Sequence, residues 1–273
     1  MLFDCHTHST NSDGRNSVEE MCISAIEKGI DGIMITDHAN MNFYNECNIC
    51  EKIKNSMLDI SNAQKKYSDK LKIFKGVELG EYILAPQKAK EILDADCYDA
   101  ILCSVHYVPK AGWFMPYSKM DFQSPQFTDD FIKEYIGLYF DLLSETIDVC
   151  DFDILAHIHC PARYITGKYE RECNIMIFED KIKGILKKII DRNIALELNS
   201  ARMCVSGQIH DFHLKEVLEL YKNLGGKLIT LGSDAHSKTY VANNFDLATD
   251  LLKKCGFNSV YYYEKRKAKE VQI

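Results

Sequence analysis

Six of the nine histidines in this chain stand at the end of a short apolar run, and the informative acids stand in the same kind of place. His6 and His8 close the run that opens the chain. His38 follows Ile33-Met34-Ile35-Thr36-Asp37, Glu78 follows Phe74-Lys75-Gly76-Val77, and His106 follows Ile101-Leu102-Cys103-Ser104-Val105. His157 follows Ile154-Leu155-Ala156, and Asp234 and His236 follow Leu228-Ile229-Thr230-Leu231-Gly232-Ser233. His6-x-His8 and Asp234-x-His236 are i, i+2 pairs, which on a strand project from one face. Protonated imidazoles brought together repel, whereas a divalent cation turns them into ligands. A set of imidazoles and carboxylates suits Zn, Mn or Fe(II) and needs no thiolate. Glu78 is the natural bridging ligand, because one carboxylate can offer an oxygen to each of two ions. Such a cluster supports metal-assisted hydrolysis, since a divalent ion lowers the pKa of water from about 15.7 toward about 7.

The elements that must position these residues follow from the apolar pattern. Runs at 2–5, 32–35, 73–77, 100–105, 153–156, 194–198, 228–231 and 259–263 read as strands, several of them continuously apolar, as befits parallel strands buried on both faces. Helical patterns lie between them, at 131–150, 175–192, 214–224 and 244–254. Another follows Ser17-Val18-Glu19-Glu20, which has the form of a capping box, and stops at Lys28-Gly29. Repeated strand–helix alternation indicates a parallel sheet, either closed into a barrel or open and doubly wound. In a β/α barrel the strand ends converge on one face, where active sites are built.

The length of 273 residues suits one α/β domain spanning 1–273, and no composition shift or Pro/Gly/Ser-rich linker divides it. The least regular stretch, 107–128, contains Pro109, Gly112, Trp113, Pro116 and Pro125 and is read as a loop near the site. Lys265-Arg266-Lys267 reads as a solvated tail. The net charge of −7 argues against a polynucleotide partner. No signal peptide and no apolar run of about 18 residues is present, so no membrane span is expected. Eleven cysteines without framework spacing read as reduced thiols of a cytoplasmic protein. Two further signals are weak. Cys47-Asn48-Ile49-Cys50 has C-x-x-C spacing but no second pair to complete a zinc site. Asp13, in Asn11-Ser12-Asp13-Gly14, reads from its spacing as a turn residue.

Taken in order, His6-Thr7-His8-Ser9, Thr36-Asp37-His38, Gly76-Val77-Glu78, Ser104-Val105-His106, the stretch 153–157 and Gly232-Ser233-Asp234-Ala235-His236 resemble the motifs of the PHP (polymerase and histidinol phosphatase) family. The resemblance runs from residue 4 to 236. It implies a distorted (βα)7 TIM-like barrel with a site for three divalent metal ions. Carried over motif by motif, His6, His8, Glu78 and Asp234 would hold one ion, Glu78, His106 and His157 a second, and Asp13, His38 and His236 a third. The resemblance thus raises Asp13 above its reading as a turn residue. His159, two residues on from His157, is a rival ligand by spacing.

Within the family the chain is similar to the histidinol-phosphate phosphatase branch, on Ser104-Val105-His106-Tyr107 with its aromatic-rich loop, His157-x5-Arg163, and Leu196-Glu197-Leu198-Asn199-Ser200 with Arg202 close behind. That likeness implies hydrolysis of a small phosphate monoester. Glu78, His106 and Asp234 would be catalytic, and Arg163 and Arg202 would grip the phosphate through charge-assisted fork bonds. The segment 202–213 has less Pro and Gly than that branch leads one to expect, which weakens the assignment of Arg202 relative to Arg163. The alternatives are a family member acting on nucleotides, another small phosphate ester or oligonucleotides, an amidohydrolase-type barrel and a non-catalytic metal-binding module. The amidohydrolase class places a modified lysine where Glu78 stands here, and the third would have lost ligands.

Overall fold

The continuous apolar runs become strands whose residues are buried on both faces, and the amphipathic segments become the helices laid over them. The computed structural model describes residues 1–43, 48–109 and 115–273. In chain order its elements are β1 (Phe3–Thr7), α1 (Val18–Glu27), β2 (Gly32–Ile35), β3 (His38–Asn40), α2 (Ile49–Lys66), β4 (Lys72–Gly80), α3 (Pro86–Leu93), β5 (Ala100–Ser104), α4 (Asp129–Val149), β6 (Ile154–Leu155), α5 (Cys160–Tyr169), α6 (Glu179–Asp191), β7 (Ala195–Asn199), β8 (Cys204–Val205), β9 (Gln208–Ile209), α7 (Leu214–Asn223), β10 (Ile229–Gly232), α8 (Phe245–Lys254), β11 (Ser259–Glu264) and β12 (Lys267–Gln272).

Seven strands form a parallel sheet in the order β1-β2-β4-β5-β6-β7-β10. The ring is nearly closed by contacts between the end of β1 and the residues just beyond β10. The Asp234 N–H donates to the His6 carbonyl at 2.8 Å, and the His8 N–H donates to the Ala235 carbonyl at 2.9 Å. This is the distorted (βα)7 barrel that the motifs implied. Short β3 continues the path of β2: β2 pairs with the first half of β4, and β3 with the second half, from His38 opposite Glu78 to Asn40 opposite Gly80. The break at Thr36-Asp37 is what turns His38 into position.

Helix α1 begins with the expected reciprocal cap, Glu20 N–H to Ser17 Oγ at 3.2 Å and Ser17 N–H to Glu20 Oε2 at 3.1 Å. The helical pattern at 175–192 divides into a 3₁₀ turn, Ile175–Phe178, and α6. No helix among the described residues is long and apolar enough to cross a membrane. The ten described cysteines carry no disulfide. Cys47, and with it the C-x-x-C pair, lies outside the described residues, as do Gly112 and Trp113.

Two expectations change at the C-terminus. The run at 259–263 is not an eighth barrel strand, and 265–267 is not a solvated tail. β11 and β12 pair antiparallel through a two-residue turn in which Lys265 and Arg266 both have positive φ, 50° and 59°. Arg266 bonds the carboxylate of Asp153 at 2.9 Å and that of Asp151 at 3.1 Å, while its N–H donates to the Asp99 carbonyl. Tyr262 stacks on Phe3 with ring centroids 4.0 Å apart. Phe3, Asp99 and Asp153 lie at the starts of β1, β5 and β6, so the hairpin covers the N-terminal mouth of the barrel and leaves the other mouth for chemistry.

Asp4 ties this framework together. Fully buried, it accepts from the Ser233 N–H at 3.0 Å, the Ser233 hydroxyl at 2.5 Å and the Ala242 N–H at 2.8 Å. Burial pushes its carboxyl up to about 6, against the pull of those donors. Asp4→Ala would strand three buried donors and should cost about 3 kcal/mol of unfolding free energy, read from denaturant titration. A loss below about 0.5 kcal/mol would mean that the seam is not held there.

Candidate metal centre

Each donor read from the sequence arrives at the C-terminal mouth by its own route. His6 lies near the end of β1 and His8 just past it. Glu78 is in the second half of β4 and His38 opens β3 beside it. His106 and His157 each follow a strand by two residues, after β5 and β6; Asp234 follows β10 by two residues and His236 by four. Asp13 comes from the loop after β1. Four groups of His, Cys, Asp or Glu place one ligand atom each within 4.8 Å of all the others: His8, Asp13, His38 and His236; His6, His157 and Asp234; His6, His8 and Glu78; and His38, Glu78 and His106. Together they contain the nine donors named from the sequence and no other described residue.

Glu78 is the hub and is fully buried. Its Oε1 stands 2.8 Å from His157 Nε2 and 3.1 Å from His106 Nε2. Its Oε2 stands 2.8 Å from His38 Nδ1, 3.2 Å from His6 Nε2 and 3.4 Å from His8 Nε2. Asp234 Oδ1 is 3.2 Å from His8 Nε2 and 3.5 Å from His236 Nδ1. Asp13 Oδ1 is 3.1 Å from His236 Nε2 and 3.5 Å from His38 Nε2. Donors about 2.1 Å from a common ion, at tetrahedral or octahedral angles, stand about 3.0–3.4 Å from one another. The observed spacings are of that size. Moreover Glu78 Oε2 and His38 Nδ1 are close without hydrogen-bonding geometry, and both are buried with no hydrogen-bond partner among the described residues. The donor set therefore fits divalent cations.

The electrostatics show what the protein does with this crowding when protons are the only cations. Burial opposes charge on His6, but Glu197, Glu78 and Asp234 outweigh it and hold its imidazole well above the usual range. Burial likewise opposes charge on His38, yet Glu78 and Asp13 raise it to about 9. His157 rises to about 10 against burial, through Cys160 and Glu78. His8 goes the other way, to about 3, driven by burial and by His38 and His236. Glu78 and Asp234 stay ionised despite burial, Glu78 beside His38 and His106, Asp234 beside Arg163 and His6.

Several supporting residues were not assigned a role from the sequence. Glu197, in β7, takes His6 Nδ1 at 2.6 Å with one oxygen and accepts the His157 N–H at 2.6 Å with the other. One buried carboxylate thus orients donors from two strands, the usual means of fixing a ligating imidazole. Gly232 makes room for it, since a Cβ there would meet Glu197 Oε1 at 2.0 Å. The signal was a glutamate inside the apolar run of β7. Asp37 accepts from Ser9 N–H and Oγ, Ser12 Oγ and Ser56 Oγ at 2.6–2.7 Å, fixing the loop that delivers Asp13. His159 is buried and stacked on Phe212, with no hydrogen-bond partner for either ring nitrogen among the described residues, and joins none of the four groups. It is not the rival ligand that its spacing allowed.

A cavity of about 310 Å³ opens over the cluster, bounded by Asp13, His38, His106, Arg163, Asp234 and His236 on its polar side. Arg163 is buried; one amino group donates to Asp234 Oδ2 at 2.6 Å and Asn199 Oδ1 at 2.8 Å, the other to Cys160 Sγ at 3.2 Å. Arg202 is not brought to the donors. It reaches the Gly167 carbonyl at 3.4 Å and lies 6.0 Å from the ring centre of Tyr164, a ring that Arg163 also approaches, at 5.4 Å. Pro116, Ser118 and Lys119, from the described part of the 107–128 loop, line the same cavity.

Because His6, His38 and His157 hold protons in the metal-free fold, metal uptake must displace them. Raised pKa values mean that protons compete below about 9–10. Affinity for Zn or Mn should accordingly rise with pH through neutrality, with net release of more than one proton per chain. Calorimetry in buffers of different ionisation enthalpy measures this. An affinity unchanged between about pH 6 and 8 would contradict it.

Comparison with known proteins adds the family. The PHP domain model matches residues 4–201. A protein of Clostridium acetobutylicum named "Probable histidinol-phosphatase" is 30% identical, across 97% of this chain and 98% of its own. The histidinol-phosphatase of Lactococcus lactis subsp. lactis is 25% identical, across 94% of this chain and 92% of its own. The crystal structure of the histidinol phosphate phosphatase of that organism, complexed with zinc, L-histidinol and phosphate, superimposes with a TM-score of 0.81 at 22% identity, covering 98% of each chain. At that identity the structural likeness is one of fold. The motif order, the barrel and a family match across most of its length agree: the chain belongs to the PHP domain family.

Proposed function

We propose that this chain is a divalent-metal-dependent phosphomonoesterase that hydrolyses L-histidinol phosphate to L-histidinol and phosphate, a step of histidine biosynthesis. The observation that carries the reading is the convergence of nine imidazole and carboxylate donors beneath one cavity. The names of the relatives, at 25–30% identity over nearly the whole chain, supply the substrate. Residues 1–273 act as one unit in this reading. The unbridged thiols suit a reducing compartment, the cytoplasm.

Three ions would be held, one by His6, His8, Glu78 and Asp234, one by Glu78, His106 and His157, and one by Asp13, His38 and His236. Their hard and borderline donors suit Zn, Mn or Fe. When bound, such ions neutralise the phosphate dianion and acidify water toward neutrality. The protein supplies the rest. Glu78, His106 and Asp234 would hold the ions that bind and polarise the ester, and Glu197 keeps His6 from turning. Arg163 presents a planar guanidinium to the phosphate, and its position is set beforehand by Asp234 and Asn199. Arg202, beside Tyr164, is the second arginine that this reading assigns to the phosphate. Tyr164, Phe43 and Ile49 line the cavity and thin the water around the ester.

Metal analysis of the purified protein, followed by phosphate release from L-histidinol phosphate, nucleotides and short single strands with metals added back, tests the reading. Histidinol phosphate should be the preferred ester, and a preference for nucleotides would overturn the assignment. Glu78→Ala and His106→Ala should lower kcat by about 10³-fold or more with the fold retained by circular dichroism. Near-normal turnover of Glu78→Ala at saturating metal would sink the bridging role. Arg163→Met should raise KM for the ester about tenfold or more and weaken competitive inhibition by phosphate to match. An unchanged inhibition constant would leave Arg163 as no more than the partner of Asp234.

A further inference from the structure

His106 stands beyond the end of β5, where no strand ladder fixes its peptide, yet the proposed function needs its imidazole held at one place beside Glu78. Hydrogen bonds from two side chains and one main-chain group supply that restraint. The His106 N–H donates to Glu81 Oε1 at 2.5 Å. The Tyr117 N–H donates to the His106 carbonyl at 3.2 Å, and the Tyr117 hydroxyl donates to the Val105 carbonyl at 2.7 Å. The peptide before His106 and the peptide after it are both gripped.

Both partners are themselves fixed. Glu81 follows β4 directly, is buried and has a φ of 55°, a left-handed conformation that is costly for a residue with a Cβ. Its own N–H donates to the Ser104 carbonyl at 3.2 Å, which ties it to the end of β5. Tyr117 opens the 3₁₀ turn Tyr117–Lys119, is buried and meets the rings of Tyr135 and Tyr139 edge to face. The chain after that turn is pinned to the end of α5 and just past it: the Tyr169 hydroxyl donates to the Met120 carbonyl at 2.8 Å, and Arg171 donates to the Phe122 carbonyl at 2.7 Å. His157 is held in a similar way, its N–H donating to the buried carboxylate of Glu197 at 2.6 Å. The two imidazoles assigned with Glu78 to one ion are thus each secured through the backbone by a buried glutamate.

Resting on the metal-dependent reading above, we propose that Glu81 and Tyr117 are positioning residues for His106 and through it set the affinity of the ion assigned to Glu78, His106 and His157. A ligand outside regular structure keeps its geometry only through such partners, and the loss of one costs metal affinity about 10–100-fold. Ser118 and Lys119, on the same turn as Tyr117, line the cavity. One clasp therefore sets both the direction of His106 and the distance of that wall from the metal donors.

Zinc isotherms of the full chain in chelator-buffered solution test this, with His106→Ala marking the zinc population that depends on His106. Tyr117→Phe, which removes one oxygen, and Glu81→Leu, which removes the acceptor, should weaken that population about tenfold or more and leave the others as in the wild type. Glu81→Gln, which keeps an acceptor of the same reach, should bind zinc as the wild type does. An unchanged isotherm in Tyr117→Phe or in Glu81→Leu would overturn the inference. Equal weakening of every population would overturn it too, and would leave the two residues a merely structural part. A loss in Glu81→Gln as large as in Glu81→Leu would overturn the assignment of Glu81 as an acceptor. If Glu81→Leu does not fold by circular dichroism, Tyr117→Phe decides. A wild-type chain that binds zinc but releases phosphate from no ester would overturn the phosphatase reading, while the isotherms still decide this one. A wild-type chain that binds no zinc would overturn both.

Discussion

A carboxylate without water, surrounded by five imidazole nitrogens, is stable only when positive charge lies between them. Glu78 is that carboxylate, and the rest of the structure can be read as the means of meeting its demand. At the barrel mouth the effective dielectric is low, so each uncompensated charge is expensive and each compensated one strong. Protons meet part of the demand in the metal-free fold, which is why His38 and His157 are pushed up to about 9 and 10 while His8 is forced down to about 3. Divalent ions meet it with more charge per site, and without requiring neighbouring imidazoles to repel one another.

The hydrogen bonds that close the barrel are also the ones that assemble the cluster. Asp234 N–H to His6 carbonyl and His8 N–H to Ala235 carbonyl join the first strand to the last; three of those four residues supply donors, and the fourth, Ala235, stands between two of them. Asp234 and His157 have positive φ, 52° and 26°, conformations that cost a residue with a Cβ about 1–3 kcal/mol. The Asp234 bond to His6 and the His157 N–H bond to Glu197 hold them there. Backbone strain at these two strand ends is therefore tied directly to the direction in which the carboxylate and the imidazole point.

What could be read from the sequence followed from which features repeat. Histidines at the ends of apolar runs were legible because strand ends in a parallel barrel converge, whatever the loops do. Asp13 was not legible from its own surroundings: it depends on a loop tied down by Asp37, Ser9, Ser12 and Ser56, and no periodicity encodes that. Glu197 left a trace, a charged residue inside a buried strand, which is rare without a buried partner. The C-terminal hairpin was missed because its turn uses Lys265-Arg266 where Asn-Gly is the usual signal. The two arginines separate for a similar reason. Arg163 rides on the first turn of α5, six residues after His157, whereas Arg202 lies in irregular chain before β8 with a φ of 61°, where sequence distance says little about direction.

Net charge and site charge point in opposite directions. The chain carries −7, which repels a phosphate dianion at long range. Yet the cavity is lined by Lys52, Lys119 and Arg163, and its acids, Asp13 and Asp234, are turned toward the imidazoles. Screening over about 8–10 Å at physiological ionic strength hides the distant surface from an ester already at the mouth. What the ester meets there is the local sum: three cationic side chains and the ions that the donor cluster is built to hold. An acidic protein can serve a dianionic substrate in this way because its carboxylates do their work as ligands, converting negative charge on the chain into positive charge at the point of binding.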